Sequence, residues 1–227
     1  MHVHAITPIH LDETELHRRR RRYADLAPPG VTIELQNLGG GDEIPRQLAT
    51  ADDIAASEAA VLAALRAVDP ATADVLLPDC VLDPSVPTAR AEVTIPVHGI
   101  TELAAGVVAA LGLPFTAVAR NRAIADELDR VIARYGHVEA RPTHVLDLSF
   151  EAIADHAVWN DAVAGMTAQL ATTPVRHVLN GCSAVEVRGD ATGVVVFDPT
   201  RLALETLGLA ARNGLVAPGR DAQEVRS

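Results

Sequence analysis

Two cysteines, Cys80 and Cys182, are the only thiols in this 227-residue chain, and each closes a short apolar run. Val75-Leu76-Leu77-Pro78-Asp79 leads into Cys80, and Val175 through Gly181 leads into Cys182. A second apolar run ends at the same interval beyond each, since Ile95 lies fifteen residues past Cys80 and Phe197 fifteen past Cys182. One pattern of strand, thiol, loop and strand therefore occurs twice, 102 residues apart. Two similar halves that carry a thiol at the same point can face them across a cleft, as a two-base proton transfer needs. Free cysteine is also a common buried small hydrophobe, and residue type alone leaves that reading open.

Other residues could shape such a site. Gly181 permits a tight turn, and backbone N–H groups after it could lower the pKa of Cys182 or bind an anion. Asp79 would work the other way on Cys80 if its carboxylate points at the sulfur. Arg120 and Asn121 follow an apolar run: an arginine suits a carboxylate, and an asparagine suits an amide or a helix N-cap. An exposed helix start explains that pair equally well. His98 reads as a site acid or a packed polar residue. Gly39-Gly40-Gly41 reads as a flexible loop or lid before an anion cradle. Arg18 to Arg22 reads as the solvated start of a helix before a local anion site. His2 and His4 alternate onto one strand face and could take a metal, but no carboxylate partners them in a pattern such as H-E-x-x-H, so no metal is expected.

Strands and helices must position these groups. β-rich runs are expected at His2 to Ile9, Val31 to Leu38, Val75 to Pro78, Val93 to Val97, Phe115 to Ala119, Val145 to Leu148, Val175 to Leu179 and Val194 to Phe197. Helices fall between them. Ile54, Val61, Leu62, Leu65 and Val68 mark one apolar face. Ile124, Leu128, Val131, Ile132 and Tyr135 mark another, with Glu127, Arg130 and Arg134 on other faces. Strands alternating with helices predict an α/β fold with mainly parallel sheets. We expect two pseudo-symmetric lobes: residues 1–112 with Cys80 and residues 113–198 with Cys182. A C-terminal helix over 199–217 would pack on the first lobe, and 218–227 form a polar tail. Ligands bind beyond the carboxyl ends of parallel strands. Both cysteines fall there, as do Thr7, Pro8, the three glycines, His98, Arg120, Asn121 and Asp198.

Composition narrows the function. The net charge of -11 excludes nucleic acid as the main partner, because little would neutralise phosphates. All 19 basic residues are arginine. Without lysine there is no Schiff base for pyridoxal phosphate and no P-loop lysine. No apolar run reaches the roughly 18 residues a membrane span needs. The arginine cluster follows the first apolar run rather than preceding it, unlike a signal peptide. A cytoplasmic protein with reduced thiols is expected. The alanine-rich helices leave room for a homo-oligomer.

Three stretches resemble the aspartate/glutamate/hydantoin racemase superfamily, and most of all its hydantoin and allantoin racemase branch. Asp79-Cys80-Val81-Leu82-Asp83-Pro84 is similar to that branch's first cysteine motif, Gly-Cys-Phe-Gly-Asp-Pro. Pro96-Val97-His98-Gly99-Ile100-Thr101-Glu102 through Tyr135-Gly136 resembles its central segment. Leu179-Asn180-Gly181-Cys182-Ser183-Ala184 with Phe197-Asp198-Pro199 resembles the second cysteine motif and final strand. The resemblance covers nearly the whole chain. It implies two Rossmann-like lobes with the active site between them, and no cofactor. One cysteine would remove a proton next to a carbonyl of a small-molecule substrate, hydantoin-like or amino-acid-like, and the other would return one on the opposite face. The substrate would be held by Thr7, Pro8, Val81, Arg120, Asn121, Gly181 and Ser183. This chain departs from the pattern at Asp79 for glycine, Thr7-Pro8-Ile9-His10 for an Asn-Pro-Asn-like turn, and Ala119 for a threonine.

Two alternatives stand beside the racemase. A maleate-type cis–trans isomerase also uses two cysteines, one attacking the alkene. A non-catalytic binding protein could keep the fold and lose the chemistry.

Overall fold

A computed structural model of the chain describes residues 1–137, 140–153, 155–187 and 193–216. The expected polar tail at 218–227 lies outside the described residues. In the first half, β1 (His2–Ile6), α1 (Glu13–Leu26), β2 (Thr32–Gln36), α2 (Ala51–Ala67) and β3 (Val75–Pro78) alternate. Two more helices follow, α3 (Val86–Glu92) and α4 (Ile100–Ala110). In the second half come β4 (Phe115–Ala119), α5 (Arg122–Arg134), β5 (His144–Val145), α6 (His156–Leu170), β6 (His177–Asn180), β7 (Val195–Phe197) and α7 (Pro199–Arg212).

The strands form two parallel sheets, ordered β2-β1-β3 and β5-β4-β6-β7. β3 and β4 are buried along their whole length, as apolar runs covered on both faces should be. The run Val93 to Val97 is not a strand. It contributes one parallel bridge, Leu76 with Val97, because Pro96 has no N–H to extend a ladder. That bridge stands next to β3 where β7 stands next to β6, so both halves order their segments alike. β5 is shorter than the run at 145–148. Leu146 N and Leu148 N still donate to Ala119 O and Arg120 O, at 2.8 and 3.0 Å.

Helix starts follow local chemistry. Thr50 and Asp53 form a capping box on α2, and Asn121 caps α5 by accepting from Ile124 N. The apolar face of α5 is buried as its spacing predicts, but Glu127 is buried too, held against Arg130 and Arg134.

Three apolar clusters hold the sheets. The central one joins Val3, Ala5 and Leu77 of the first sheet to Phe115, Ala117 and Leu179 of the second. It includes Ile100 and Ala105 of α4 and Leu204 and Leu207 of α7. The outer face of the first sheet packs Ile6 and Leu76 on Val61 and Leu65. The outer face of the second packs Val118 and Val178 on Trp159 and Val163. Burying Trp159 alone contributes about 4–6 kcal/mol of gross stabilisation, from roughly 150–250 Å² at about 25 cal/mol/Å². Gly208 lets α7 approach the turn after α1: a Cβ there would lie 2.7 Å from Pro28 Cγ.

Candidate active site

The loop that carries Cys80 leaves β3 and folds back at once. Asp79 N donates to Ile6 O at 2.7 Å, and Asp83 N donates to Cys80 O at 3.1 Å. The Leu82 N–H points at the Cys80 sulfur, 3.5 Å away. Asp83 then caps α4, its oxygens accepting from Thr101 N and Glu102 N at 3.0 and 2.8 Å. This cap explains Gly99, where a Cβ would stand 2.1 Å from Asp83 Oδ2.

The loop that carries Cys182 is held by Asn180 at the end of β6. Asn180 Oδ1 accepts from Trp159 Nε1 at 3.0 Å, and Asn180 Nδ2 donates to Cys182 O and Val185 O at 2.9 and 3.0 Å. Gly181 is required by packing, since a Cβ would lie 1.8 Å from Val118 O. The Ala184 and Val185 N–H groups point at the Cys182 sulfur. Each sulfur thus meets an N–H from two residues farther along. The loops also touch: Ser183 Oγ donates to Asp79 O at 3.1 Å.

Beneath both loops lies an ion-pair network centred on α1. Arg19 Nη1 donates to Asp79 Oδ2 at 2.9 Å and Arg19 Nε to Glu15 Oε1 at 2.9 Å. Tyr23 Oη donates to Asp79 Oδ1 at 2.8 Å. Burial works against the charge of Arg19, but Asp79 and Glu15 outweigh it and hold the guanidinium pKa above its ordinary value. Burial and the Asp79 charge raise the Tyr23 phenol, so it stays a donor. Two arginines of the run therefore face inward, because Arg22 also donates, to Ser183 O at 3.1 Å and Asp198 Oδ2 at 2.7 Å. The run is not the solvated helix start its composition suggested. It lies in the middle of α1, and the helical period turns Arg19 onto the stripe of Leu16, Tyr23 and Leu26.

The two thiols differ in environment. Cys80 is buried and Cys182 half-buried, and both are free. Burial pushes the Cys80 pKa up to about 12, the Leu82 N–H opposes this, and Asp79 and Asp83 add to it. Burial also raises Cys182, opposed by the Arg19 charge and by the Ala184 and Val185 N–H groups.

One cavity collects these groups. It is lined by Pro8, Ile9, Arg19, Leu48, Cys80, Val81, Leu82, Arg120, Ile124, Phe150, Ile153, Gly181, Cys182, Ser183 and Ala184. Every sheet strand except β7 sends its carboxyl-terminal loop there. Of the residues expected to hold substrate, Pro8, Val81, Arg120, Gly181 and Ser183 line it. Thr7 and Asn121 do not. Thr7 is fully buried and donates to Ile9 O at 2.8 Å while accepting from Leu38 N, which shapes the Pro8 turn. Asn121 caps α5 and donates to Leu48 O at 2.9 Å. His98 and Gly39 to Gly41 also lie off the lining; His98 sits 3.9 Å from Glu102. Asp198 caps α7 and pairs with Arg22.

Arg120 is the lining group with capacity to spare. It is 5 % exposed and lies 5.6 Å over the Phe150 ring. Its Nη2 donates to Leu48 O at 2.8 Å. Its Nε has no hydrogen-bond partner among the described residues. Burial lowers its pKa, and no carboxylate bridges it among the described residues.

Arg19, Leu48 and Phe150 were not foreseen as lining residues. Arg19 was detectable as the one cation on the apolar stripe of α1, opposite an Asp79 that needs a partner. Leu48 and Phe150 sit in loops without local periodicity.

Comparisons with known proteins agree with this architecture. Residues 19–207 match the family model for Asp/Glu/Hydantoin racemase. Allantoin racemase from Klebsiella pneumoniae superposes with a TM-score of 0.77 at 19% identity, covering 96% of this chain and 90% of that one. Allantoin racemase from Pseudomonas fluorescens gives 0.81 at 16% identity, over 96% and 94% of the two chains. An aspartate racemase homologue from Pyrococcus horikoshii OT3 gives 0.60 at 13% identity, over 92% and 98%. No curated protein matches the sequence. No helix among the described residues is long and apolar enough to cross a membrane. The chain belongs to the Asp/Glu/hydantoin racemase family and is an isomerase of that family.

Proposed function

We propose that this member of the Asp/Glu/hydantoin racemase family is a cofactor-independent racemase or epimerase in which Cys182 and Cys80 exchange a proton at a carbon next to a carbonyl. One observation carries the reading: two free thiols, delivered by different sheets, line one cavity. Inverting a stereocentre through a planar carbanion needs a base on one face and an acid on the other.

We read the resting roles from the difference between the two environments. Burial raises both thiols, but at Cys182 Arg19 and two N–H groups oppose the rise, whereas at Cys80 Asp79 and Asp83 add to it, so Cys182 is the more readily deprotonated of the pair and Cys80 the acid. The substrate C–H bond breaks as the Cys182 S–H bond forms, and the electron pair moves into the neighbouring carbonyl. Cys80 then gives its proton to the opposite face and becomes the thiolate. The opposite enantiomer uses the swapped protonation state. The proton count closes within the two thiols.

Arg120 supports a substrate that turns an anionic or carbonyl oxygen towards it, because a buried cation without a carboxylate partner is stabilised by a negative oxygen. Ile9, Leu48, Val81, Leu82 and Phe150 suit an apolar arm. The substrate class is therefore a small carbonyl or carboxylate compound with an apolar substituent, on a hydantoin-like or amino-acid-like frame. Reduced thiols fit a cytoplasmic protein, and we read it as a homo-oligomer.

The test is turnover in deuterated water with a panel of hydantoins, amino acids and dicarboxylates, followed by NMR. Deuterium enters the inverted stereocentre, and inversion is lost in Cys80→Ser and in Cys182→Ser. Inversion with retention of the original hydrogen would overturn the proposal. Arg120, which meets backbone carbonyls but no carboxylate among the described residues, also favours a second reading, cis–trans isomerisation of an unsaturated dicarboxylate with Cys182 adding to the alkene. A thioether adduct trapped on Cys182 distinguishes it by mass.

A further inference from the structure

On β1 and β2, away from the cysteine-bearing loops, two histidines and a carboxylate converge. His2 and His4 project from the same face of β1, two residues apart. The sequence around them holds no carboxylate at ligand spacing. The sheet supplies one: β2 pairs with β1 in the register His2 to Thr32 and His4 to Glu34. One ligand atom each from His2, His4 and Glu34 lies within 4.8 Å of the others. His2 Nε2 stands 3.5 Å and His4 Nδ1 3.8 Å from Glu34 Oε2.

The hydrogen bonds fix the His4 tautomer, and those of His2 are compatible with the tautomer a metal ligand requires. Gln36 Oε1 can only accept, so His4 Nε2 donates to it at 2.8 Å, leaving a lone pair on Nδ1. That Nδ1 is buried without a hydrogen-bond partner among the described residues, and His4 is 8 % exposed. His2 Nδ1 lies 3.1 Å from Thr32 Oγ1, which accepts in the Nδ1–H tautomer while its own hydroxyl turns to Met1 O at 3.5 Å; in that tautomer His2 Nε2 keeps a lone pair. Both free lone pairs belong to the nitrogens nearest the Glu34 carboxylate. A ligating histidine normally gives its other N–H to an outer-shell acceptor, as His4 does here and His2 does in its Nδ1–H tautomer.

We propose that His2, His4 and Glu34 bind a divalent transition-metal ion of the zinc type, with Gln36 and Thr32 as outer-shell supports. Two imidazoles and one carboxylate are a zinc donor set, and the fourth position faces solvent for a water. The ion would clamp edge strand β2 to β1, and it lies on the strands themselves rather than among the carboxyl-terminal loops that line the cavity. It would serve stability rather than proton transfer.

The test uses the full chain carrying Cys80→Ser and Cys182→Ser, so that thiols do not take the metal. After chelation and dialysis, zinc chloride is titrated by calorimetry at pH 7.5 and the bound metal is counted; cobalt is added separately to read its visible spectrum. The expectation is one zinc per chain, a higher melting temperature, and cobalt absorption of four-coordinate strength. Glu34 is exposed and His2 only half-buried, so folding should survive His2→Ala and Glu34→Gln, and each should weaken binding more than about tenfold. Gln36→Leu should weaken it by about 10–100-fold, a loss that adventitious binding to surface histidines would not show. Zinc binding weaker than about 100 μM in the thiol-free protein, or losses below about tenfold in His2→Ala and Glu34→Gln, overturns the proposal.

Discussion

Replacing Arg19 with methionine strands the carboxylate of Asp79 in the interior. In the intact protein that carboxylate meets Arg19 at 2.9 Å and Tyr23 at 2.8 Å, and Asp79 is 1 % exposed. Methionine fills much of the arginine stem but brings no charge. Removing one partner of a buried pair costs about 3–5 kcal/mol, because the remaining charge is neither solvated nor paired. For a chain of this size each kcal/mol moves the melting temperature by about 2–4 °C, so Arg19→Met should lower it by roughly 6–20 °C. Asp79→Asn should cost less, about 1–2 kcal/mol. Arg19 then keeps Glu15 at 2.9 Å, and the asparagine oxygen can still accept from Tyr23 or Arg19. The double variant should be more stable than Arg19→Met alone, with a coupling of about 2–3 kcal/mol. Urea unfolding of the four proteins under reducing conditions measures the cycle. Arg19→Met within about 1 kcal/mol of the parent, or strictly additive changes, would refute the argument.

Alkylation by iodoacetamide near neutral pH should label Cys182 well before Cys80, and Asp79→Asn should narrow the gap, read by peptide mass spectrometry. Because the folded pKa of Cys80 is raised from 9.0 to about 12, the folded state holds that proton more tightly than the unfolded chain. Its contribution to stability is present below pH 9 and is lost as pH rises towards 12, by at most about 1.4 kcal/mol per unit; Cys80→Ala should flatten that slope in unfolding curves. Gly181→Ala should cost about 3 kcal/mol or more, or abolish soluble expression, because its methyl would overlap Val118 O. Gly106→Ala, with open space around it in α4, should instead stabilise by up to about 1 kcal/mol in the same assay. Trp159→Phe removes the donor to Asn180 Oδ1 and should cost about 1–3 kcal/mol while slowing turnover through the Cys182 loop.

The thiol pair and the alternation of strands and helices were legible because they rest on local pattern. β3 and β4 occupy the runs at 75–78 and 115–119. The extent of the other strands was less so. Val93 to Val97 has the composition of a strand, yet Pro96 confines it to one bridge. Non-local pairing escaped the sequence altogether. Arg19 reads as one of five consecutive arginines until the turn of α1 and the position of Asp79 bring the two together. Glu34 looks like an exposed acidic residue until strand register sets it beside His4. Thr7 and Asn121 were placed at the correct strand ends, but their side chains turn into the backbone they organise rather than into the cavity.

The Arg19–Asp79 pair also constrains the order in which this site could have been assembled. The resemblance puts glycine where Asp79 stands. An arginine arriving first beside such a glycine keeps the Glu15 carboxylate, one turn away on the same helix. An aspartate arriving first is a bare anion in the interior, with only a tyrosine hydroxyl to meet it. The two ancestral routes are therefore unequal: one passes through a stable intermediate and the other through a protein that has lost several kcal/mol. Reversion follows the same order read backwards: the aspartate must leave before the arginine does.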